Sequence, residues 1–225
     1  MSLQTLQPEL ADEPGNRHGH ARADIAPFLP EHSRRVLEIG CGDGSTLAWL
    51  KARRRCDYAV GVEASAESAA IARRYVDQVE TGDVERAVER LGALDPFDLV
   101  LCLDVLEHLV DPWRLLRRLD GMTTENAVLI VSVPNVRHYK VSLPLLLYGQ
   151  WQYQPAGVLA QTHLRFFTRS SAAALAASAN LKLLACVGSR PPVGSTGWLA
   201  DFLSMGLLRD LFAVQYVVAA SRRSA

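Results

Sequence analysis

Five short apolar runs, separated by segments of helical periodicity, recur between residues 34 and 133, and this alternation constrains the fold more than any other feature. Four of the runs cover residues 34–39, 58–62, 97–103 and 127–133, and the fifth, at residues 76–80, is a weak short one with two apolar residues. The helical patterns between them cover residues 45–54, 65–75, 84–91 and 112–119. Strands that are apolar along most of their length are buried on both faces, as in parallel sheets covered by helices. The sequence therefore predicts an α/β fold with a doubly wound sheet.

Composition limits the classes of function. A chain of 225 residues, of which 49% are hydrophobic, can bury the core of a globular domain. Lys plus Arg and Asp plus Glu number 24 each, so the net charge is zero and nucleic acid is not an expected partner. The four cysteines stand apart without a CxxC pair, a spacing that supports neither a zinc site nor a disulfide framework and favours the cytoplasm. The sequence shows no recognisable signal peptide or membrane-spanning run.

A glycine-rich turn, VLEIGCGDGS at residues 36–45, follows the first predicted strand and leads into a helix. Gly40, Gly42 and Gly44 permit a tight turn and close approach of a ligand to the backbone. A dinucleotide and S-adenosylmethionine are the two cofactor classes that such a turn can bind. Glu38 favours S-adenosylmethionine, because a carboxylate repels a pyrophosphate but attracts the ammonium group of a methionine moiety.

Two further strand ends carry acids. Glu63 ends the second predicted strand, about 20 residues beyond the glycines, where a carboxylate reaches ribose hydroxyls; an ordinary surface glutamate is the alternative. Asp83 follows the third strand, where it can accept a hydrogen bond from an adenine amino group while Val84 flanks the ring. Asp83 is equally suited to cap the helix that follows, and the two roles are compatible.

Together, VLEIGCGDGS, GVEAS, TGDVE and FDLVLCLDVLEHLVDP resemble the class I S-adenosylmethionine-dependent methyltransferases, over about residues 34–135. The resemblance implies a Rossmann-like sheet of seven strands, whose last strand runs antiparallel between the fifth and the sixth. Residues 181–187 and 214–220 are the predicted sixth and seventh strands. The cofactor contacts that the resemblance implies are Glu38, Gly40, Gly42, Gly44, Glu63, Asp83, Val84, Leu103 and Asp104. S-adenosylhomocysteine would be the product.

The segment CLDVLEHLVDP, at residues 102–112, resembles the EHxxDP subset of small-molecule methyltransferases. The resemblance implies that this strand end faces the transferred methyl group. His108 can take a proton from an attacking hydroxyl, since imidazole titrates near neutrality; bracing of the loop is the alternative role. No metal site is predicted, because Glu107 and His108 are adjacent and are expected to point apart.

The segment 135–168 is longer than a common strand-to-helix connection, which has about 2–6 residues. We interpret it as a cap over the acceptor pocket. Its PN and THLRFFT motifs resemble methyltransferases of bacterial glycan pathways, and His138 and His163 are further acid–base candidates. The predicted organisation is a flexible tail at residues 1–20 and a single domain at residues 21–225, with the cap inserted at about 135–168.

Two apolar runs need a separate interpretation: VSLPLLLY at residues 141–148 and WLADFLSMGLLRDLF at residues 198–212. The favoured interpretation is the buried face of a cap helix, packing on the sheet, or a homodimer contact. Contact with a membrane or a lipid-linked substrate is the less favoured alternative.

The sequence thus predicts a cytoplasmic methyltransferase that uses S-adenosylmethionine and a small-molecule or glycan-precursor acceptor, with oxygen as the favoured acceptor atom. The protein would have to align acceptor and methyl group and exclude water. Two alternatives remain open at this point. An NAD-dependent oxidoreductase would use Glu63 on the ribose but leaves Glu38 without a role, and a non-catalytic protein would bind S-adenosylmethionine without turnover.

Overall fold

A computed structural model describes residues 21–179, 181–191 and 194–222. The predicted flexible tail, residues 1–20, lies outside the described residues. The chain divides into two compact units, with the boundary between Leu99 and Val100. The predicted single domain at residues 21–225, with a cap at about 135–168, stays a prediction.

Seven strands form one mixed sheet in the order β3-β2-β1-β4-β5-β7-β6. Their bounds are β1 Ser33–Ile39, β2 Cys56–Glu63, β3 Gln78–Thr81, β4 Phe97–Leu103, β5 Thr123–Pro134, β6 Leu181–Gly188 and β7 Gln215–Arg222. The last strand runs antiparallel to both β5 and β6. The predicted Rossmann-like sheet, with its antiparallel last strand between the fifth and sixth, is confirmed.

Eight α-helices accompany the strands in the described part of the chain. Their bounds are α1 Ser45–Ala52, α2 Ala66–Ala72, α3 Val84–Leu91, α4 Pro112–Asp120, α5 Tyr139–Tyr148, α6 Arg169–Ser178, α7 Thr196–Leu203 and α8 Arg209–Phe212. Short 3-10 helices cover Ala23–Phe28 and Leu106–His108. Side-chain oxygens of Ser65, Asp83 and Asp111 accept from backbone N–H groups in the first turns of α2, α3 and α4. These caps satisfy N–H groups that have no partner inside the helix.

The parallel strands of the first unit place the glycine turn next to the end of β2. In the β1–β2 pair, Glu38 is opposite Gly61 and Ile39 is opposite Val62. Both strands bury consecutive apolar side chains rather than alternate ones, as expected for strands covered on both faces. Because the two strands run in the same direction in this register, Gly40, which follows β1, lies beside Glu63, the last residue of β2.

In the second unit, the segment after β5 is anchored at its first residue. The Nδ2 of Asn135 donates to the backbone oxygens of Asp210, at 2.6 Å, and Ala213, at 2.7 Å. Asn135 is fully buried and forms an isolated parallel bridge with Phe167. The backbone bridge therefore holds the two ends of the inserted segment together, and the Asn135 side chain ties its start to residues 210–213.

The interpretation of the two apolar runs as buried faces is wrong for most of their side chains. In α5, Val141 is buried, but the exposed fractions of Leu146 and Tyr148 are 79% and 73%. After α7, Met205 is 90% exposed and Leu207 is 84% exposed. The homodimer contact stays a prediction. Among the described residues, no helix is long and apolar enough to cross a membrane.

Candidate functional site

The glycine turn of the first unit has left-handed backbone at alternate residues. The φ angles of Gly40, Gly42 and Gly44 are +71°, +55° and +81°. The N–H groups of Gly40 and Cys41 both donate to the oxygen of Val62, at 2.8 and 3.0 Å. Only glycine adopts such angles without a steric cost from Cβ, so the repeated glycines are required by the turn itself.

Glu63 joins this turn to the start of α2. One carboxylate oxygen accepts from the N–H of Gly42 and the other accepts from the N–H of Ser65, both at 2.8 Å. A carboxylate oxygen has more than one acceptor site, so both oxygens can still accept from a hydroxyl group. The structure thus gives Glu63 a local role in the turn, and its predicted contact with ribose stays a prediction.

Glu38 lies buried on β1, with an exposed fraction of 3%. Burial raises the pKa of its carboxyl group to about 8, and the nearby acids Asp43 and Glu63 contribute in the same direction. Arg22 and a hydrogen bond from Thr46 oppose this rise. The carboxyl group is therefore mostly protonated at neutral pH until a cation approaches it.

Asp43 is a second buried acid in the turn, and the sequence interpretation did not include it. Its Oδ1 accepts from the backbone N–H of Ser45 at 3.0 Å and from the Ser45 hydroxyl at 2.6 Å. Within the described residues, Asp43 Oδ2 and Glu38 Oε2 are buried without a hydrogen-bond partner. The position of Asp43 between two glycines of the turn was the signal that could have identified it.

These residues fit a ligand that combines a cation with a nucleoside. Buried carboxylate oxygens without partners are costly unless a donor reaches them, and an ammonium group supplies such donors. A Cβ built on Gly42 would meet no heavy atom within 4 Å, so open space lies over the turn. The donor set and this space suit the methionine end of S-adenosylmethionine, which the sequence assigns to Glu38 and the glycines.

Asp83 caps α3, as one of its two predicted roles requires. Its Oδ1 accepts from the N–H of Arg86 at 3.1 Å, and its side chain is exposed. The preceding Gly82 has a φ of +117°, and its N–H donates to the oxygen of Glu63 at 2.9 Å. The adenine contacts of Asp83 and Val84 stay predictions.

Alanine at Gly42 and at Gly44 is expected to have different consequences. At Gly42, the added Cβ meets no atom of the fold, so we expect a loss of roughly 1 kcal/mol in unfolding free energy from backbone strain. The same Cβ enters the space over the turn, so S-adenosylmethionine affinity is expected to fall at least tenfold. At Gly44, the Cβ would lie 2.9 Å from Val76 Cγ2 and 3.1 Å from Ala72 Cβ, so strain and overpacking are expected to cost about 2–4 kcal/mol.

Thermal unfolding and calorimetric titration of both variants measure these two effects. Gly42→Ala is expected to lose affinity and keep most of its stability, whereas Gly44→Ala loses stability first. Unchanged affinity in a folded Gly42→Ala protein would show that the ligand does not approach this backbone.

In the second unit, Asp104 directly follows β4 and has left-handed backbone, with a φ of +56°. The Ser132 hydroxyl donates to Asp104 Oδ1 at 2.7 Å, and the N–H of Asp104 lies 3.0 Å from the same hydroxyl oxygen. Leu103 is buried at the end of the strand. Ser132 thus fixes an exposed aspartate at a strand end, while the predicted cofactor contacts of Leu103 and Asp104 stay predictions.

His108 and His163 are brought together in the second unit, although they are 55 residues apart in the sequence. Their ring centroids are 4.8 Å apart in an edge-to-face arrangement. His108 Nδ1 lies 3.1 Å from the oxygen of Thr162, and His163 Nδ1 lies 2.9 Å from the oxygen of Val158. A carbonyl oxygen only accepts, so each Nδ1 carries a proton, and in the neutral tautomer Nε2 is the nitrogen that can accept.

The backbone around this histidine pair is held by hydrogen bonds between the two segments that carry it. The oxygen of Glu107 accepts from the N–H groups of Leu164, at 2.7 Å, and Arg165, at 3.0 Å. The guanidinium group of Arg165 donates to the oxygen of Val110. The THLRFFT motif is therefore docked on the EH segment through backbone oxygens of Glu107 and Val110.

The expectation that Glu107 and His108 point apart is wrong. Glu107, His108 and His163 each offer a ligand atom, and these atoms all lie within 4.8 Å of one another. The 3-10 turn at Leu106–His108 changes the angle between adjacent side chains from that of an extended segment. The orientation of Glu107 and His108 is therefore no argument against a metal ion. That no metal binds here stays a prediction.

Burial affects the two remaining histidine candidates in the same way. Partial burial lowers the pKa of His163, and the neighbouring His108 adds to this effect. Burial also lowers the pKa of His138, which caps α5 by accepting a 3.4 Å hydrogen bond from the N–H of Lys140. His138 contacts the ring of Tyr139, so its described contacts lie at the start of α5 rather than in the histidine pair.

Comparison with known families and structures adds independent findings. The family model described as "Methyltransferase domain" matches residues 15–185. A solved structure of a SAM-dependent methyltransferase from Archaeoglobus fulgidus is similar in fold, with a TM-score of 0.62 and 17% sequence identity. The similarity covers 88% of this chain and 90% of that chain.

Curated relatives share part of the chain. A ubiquinone biosynthesis O-methyltransferase from Azorhizobium caulinodans is 34% identical over 119 residues, which are 52% of this chain and 46% of the relative. A protein of the same name from Neisseria meningitidis is 29% identical over 131 residues, 55% of this chain and 54% of the relative. The chain thus spans about half the length of the curated relatives it matches.

Proposed function

Because the chain belongs to the class I S-adenosylmethionine-dependent methyltransferases, we propose that it methylates a hydroxyl oxygen of a small molecule or glycan precursor. Its cofactor is S-adenosylmethionine, and it is an enzyme rather than an NAD-dependent oxidoreductase or a binding protein without turnover. The observation that supports oxygen as the acceptor atom is the histidine pair, because a hydroxyl nucleophile benefits from a base that removes its proton.

When bound, S-adenosylmethionine supplies an electrophilic methyl group on sulfur and leaves as S-adenosylhomocysteine. In the first unit, Glu38 and Asp43 bind the ammonium group, and the Glu63 carboxylate accepts from ribose hydroxyls. The bare backbone at Gly42 permits close approach. Asp83 and Val84 contact the adenine, and the ionised form of Glu38 is favoured once a cation replaces its missing partner.

In the second unit, His108 accepts the proton of the acceptor hydroxyl at Nε2. Its ring is exposed and therefore accessible to a substrate, and its Nδ1–H is held by the oxygen of Thr162. His163 is the positioning residue for this ring. The lowered pKa of His163 keeps it neutral near pH 7, so it does not oppose a positive charge on His108.

Aromatic side chains of the inserted segment support a ring-shaped acceptor. The Trp151 and Phe166 ring centroids are 5.0 Å apart, and the Tyr153 ring lies 6.5 Å from Phe166. Aromatic faces stack on planar rings and on the apolar faces of sugars. The names of the curated relatives, which specify O-methylation, support the same acceptor atom. The four free thiols suit the reducing cytoplasm, where we place the reaction.

Release of S-adenosylhomocysteine tests this proposal with three acceptor classes: catechols and other phenols, nucleotide sugars, and primary amines. We expect turnover with a hydroxyl acceptor and no turnover with the amines. Treatment with EDTA is expected to leave the rate unchanged, since the histidine pair supplies the base.

Turnover with amines alone would overturn the oxygen assignment. A rate lost with EDTA and restored by Mg²⁺ or Zn²⁺ would overturn the proton-acceptor role and assign Glu107, His108 and His163 to a metal ion.

A further inference from the structure

Two helices of the second unit present large apolar side chains to solvent. In α5 these include Leu146, Leu147 and Tyr148, with exposed fractions of 79%, 63% and 73%. In and after α7 they include Phe202, Met205 and Leu207, with exposed fractions of 68%, 90% and 84%. We call residues 143–148 and 198–208 the two apolar segments. A single exposed leucine needs no explanation, but sets of this size mark an interaction surface.

The two helices that carry the apolar segments start at the same aromatic side chain. The ring of Phe212 lies 5.5 Å from the ring of Tyr139, the first residue of α5. A Cβ built on Gly197, in the first turn of α7, would lie 2.9 Å from Cδ1 of Phe212. Packing at Phe212 therefore anchors both helices, and their apolar ends extend from one place in the second unit.

Charge around these helices is one-sided, although the whole chain is neutral. Between Glu125 and Asp201, the sequence contains no Asp or Glu and six Lys or Arg. Of the six, Lys140 lies exposed in the first turn of α5. The two acids close to α8, Asp201 and Asp210, are paired with Arg209 at 3.4 Å and Arg137 at 3.7 Å. The stretch of chain that contains α5 thus carries net positive charge, and Lys140 places part of it on the helix that bears the first apolar segment.

From this combination we infer that the two apolar segments bind the surface of an anionic phospholipid bilayer. Apolar side chains of helices that lie in the membrane interface enter the boundary between headgroups and acyl chains, and basic side chains contact lipid phosphates. Tyr148 and Trp198 suit this boundary, where amphipathic rings are enriched. This inference reverses the expectation from the sequence, which favoured burial or self-association.

A second copy of the chain is the competing occupant, and the charges disfavour it. A two-fold interface brings the same surface of both copies together. Lys140 of each copy would then lie on the shared surface, and residues 126–200 contain no acid to pair with it. Like charges across an interface are unfavourable. An anionic lipid surface complements the same charges. The inference concerns a surface and does not depend on the acceptor or on the histidine pair.

Vesicle co-sedimentation of the full chain tests the inference. We expect binding to vesicles of phosphatidylcholine with one quarter phosphatidylglycerol, and at least tenfold weaker binding to pure phosphatidylcholine. The double variant Leu146→Ser/Met205→Ser is expected to lose at least tenfold in binding to the anionic vesicles. Leu184→Ser is the matched control, because Leu184 is 53% exposed but lies on β6, outside both apolar segments.

Charge is tested by Lys140→Glu, with Arg74→Glu as the control for an equal change in net charge. Arg74 is exposed in the first unit, and its variant is expected to bind like the wild type. Three results would overturn the inference. The two charge variants could lose vesicle binding equally, the wild type could bind neutral and anionic vesicles equally, or it could bind neither. The inference would also be overturned, in favour of a second copy, if the wild type were a dimer that does not bind vesicles and the Leu146→Ser/Met205→Ser variant were a monomer.

Discussion

Replacing Glu38 with glutamine is expected to weaken S-adenosylmethionine binding about a hundredfold at pH 8, while the protein stays folded. A charge-assisted hydrogen bond contributes about 1.5–3 kcal/mol, and the upper part of this range corresponds to that change in affinity. Glutamine has the shape of the protonated carboxyl group that burial favours in the free protein. The variant therefore removes the negative charge without opening a cavity. Isothermal titration calorimetry measures the affinity, with Glu31→Gln, an exposed glutamate before β1, as the control.

The pH dependence of binding distinguishes this role from a structural one. The pKa of Glu38 is raised to about 8 in the free protein, so a cationic ligand must displace its proton at lower pH. Wild-type affinity is expected to rise about tenfold per pH unit toward pH 8, and proton release makes the binding enthalpy depend on the buffer. Glu38→Gln is expected to lose both effects. An unchanged pH slope in the variant would show that Glu38 does not face the ammonium group.

The same shift has a defined sign for stability. The folded carboxyl group holds its proton up to about pH 8, whereas the unfolded one releases it near the ordinary glutamate pKa of 4.5. The unfolded state therefore binds fewer protons across this window, so the group's contribution to wild-type stability falls as pH rises from 4.5 to 8. The melting temperature of Glu38→Gln, measured relative to that of the wild type, is therefore expected to rise as the pH increases from 4.5 to 8.

Replacing His108 with asparagine is expected to lower kcat by a factor of about 10²–10⁴, the usual contribution of a general base. S-adenosylmethionine affinity is expected to stay within twofold, since the proposed cofactor contacts are Glu38, Asp43 and Glu63. The residual rate is expected no longer to decrease at acidic pH, because in the wild type that decrease reports protonation of the base. Steady-state kinetics from pH 5 to pH 9 and calorimetry measure both effects.

His163→Asn provides the comparison within the pair. It is expected to lose about tenfold in kcat and to keep the acidic limb of the pH profile, since it removes a neighbour and leaves the base. His32→Asn is the control, because His32 is an exposed histidine paired with Asp57 in the first unit. If His163→Asn lost the acidic limb and His108→Asn kept it, the two roles would be exchanged.

Hydrophobic pattern and turn chemistry made most of the sheet predictable. The helix at Val84–Leu91 and the strand at Phe97–Leu103 have the predicted bounds, because a capping aspartate marks the start of the helix and a nearly continuous apolar run marks the strand. The exposure of α5 was not predictable, since an apolar sequence pattern does not show whether the helix packs against the rest of the protein. The proximity of His108 and His163 depends on backbone hydrogen bonds between distant segments, which leave no local pattern in the sequence.

The two hydrogen bonds from backbone N–H groups to Glu63 also bear on how binding energy is used. Gly42 and Ser65 are fixed by the fold before any ligand arrives. The entropic cost of ordering the glycine turn therefore arises when the protein folds. It does not weaken ligand binding. If the turn holds the cofactor as proposed, its contacts are expected to contribute to binding almost in full, as those of a rigid receptor do.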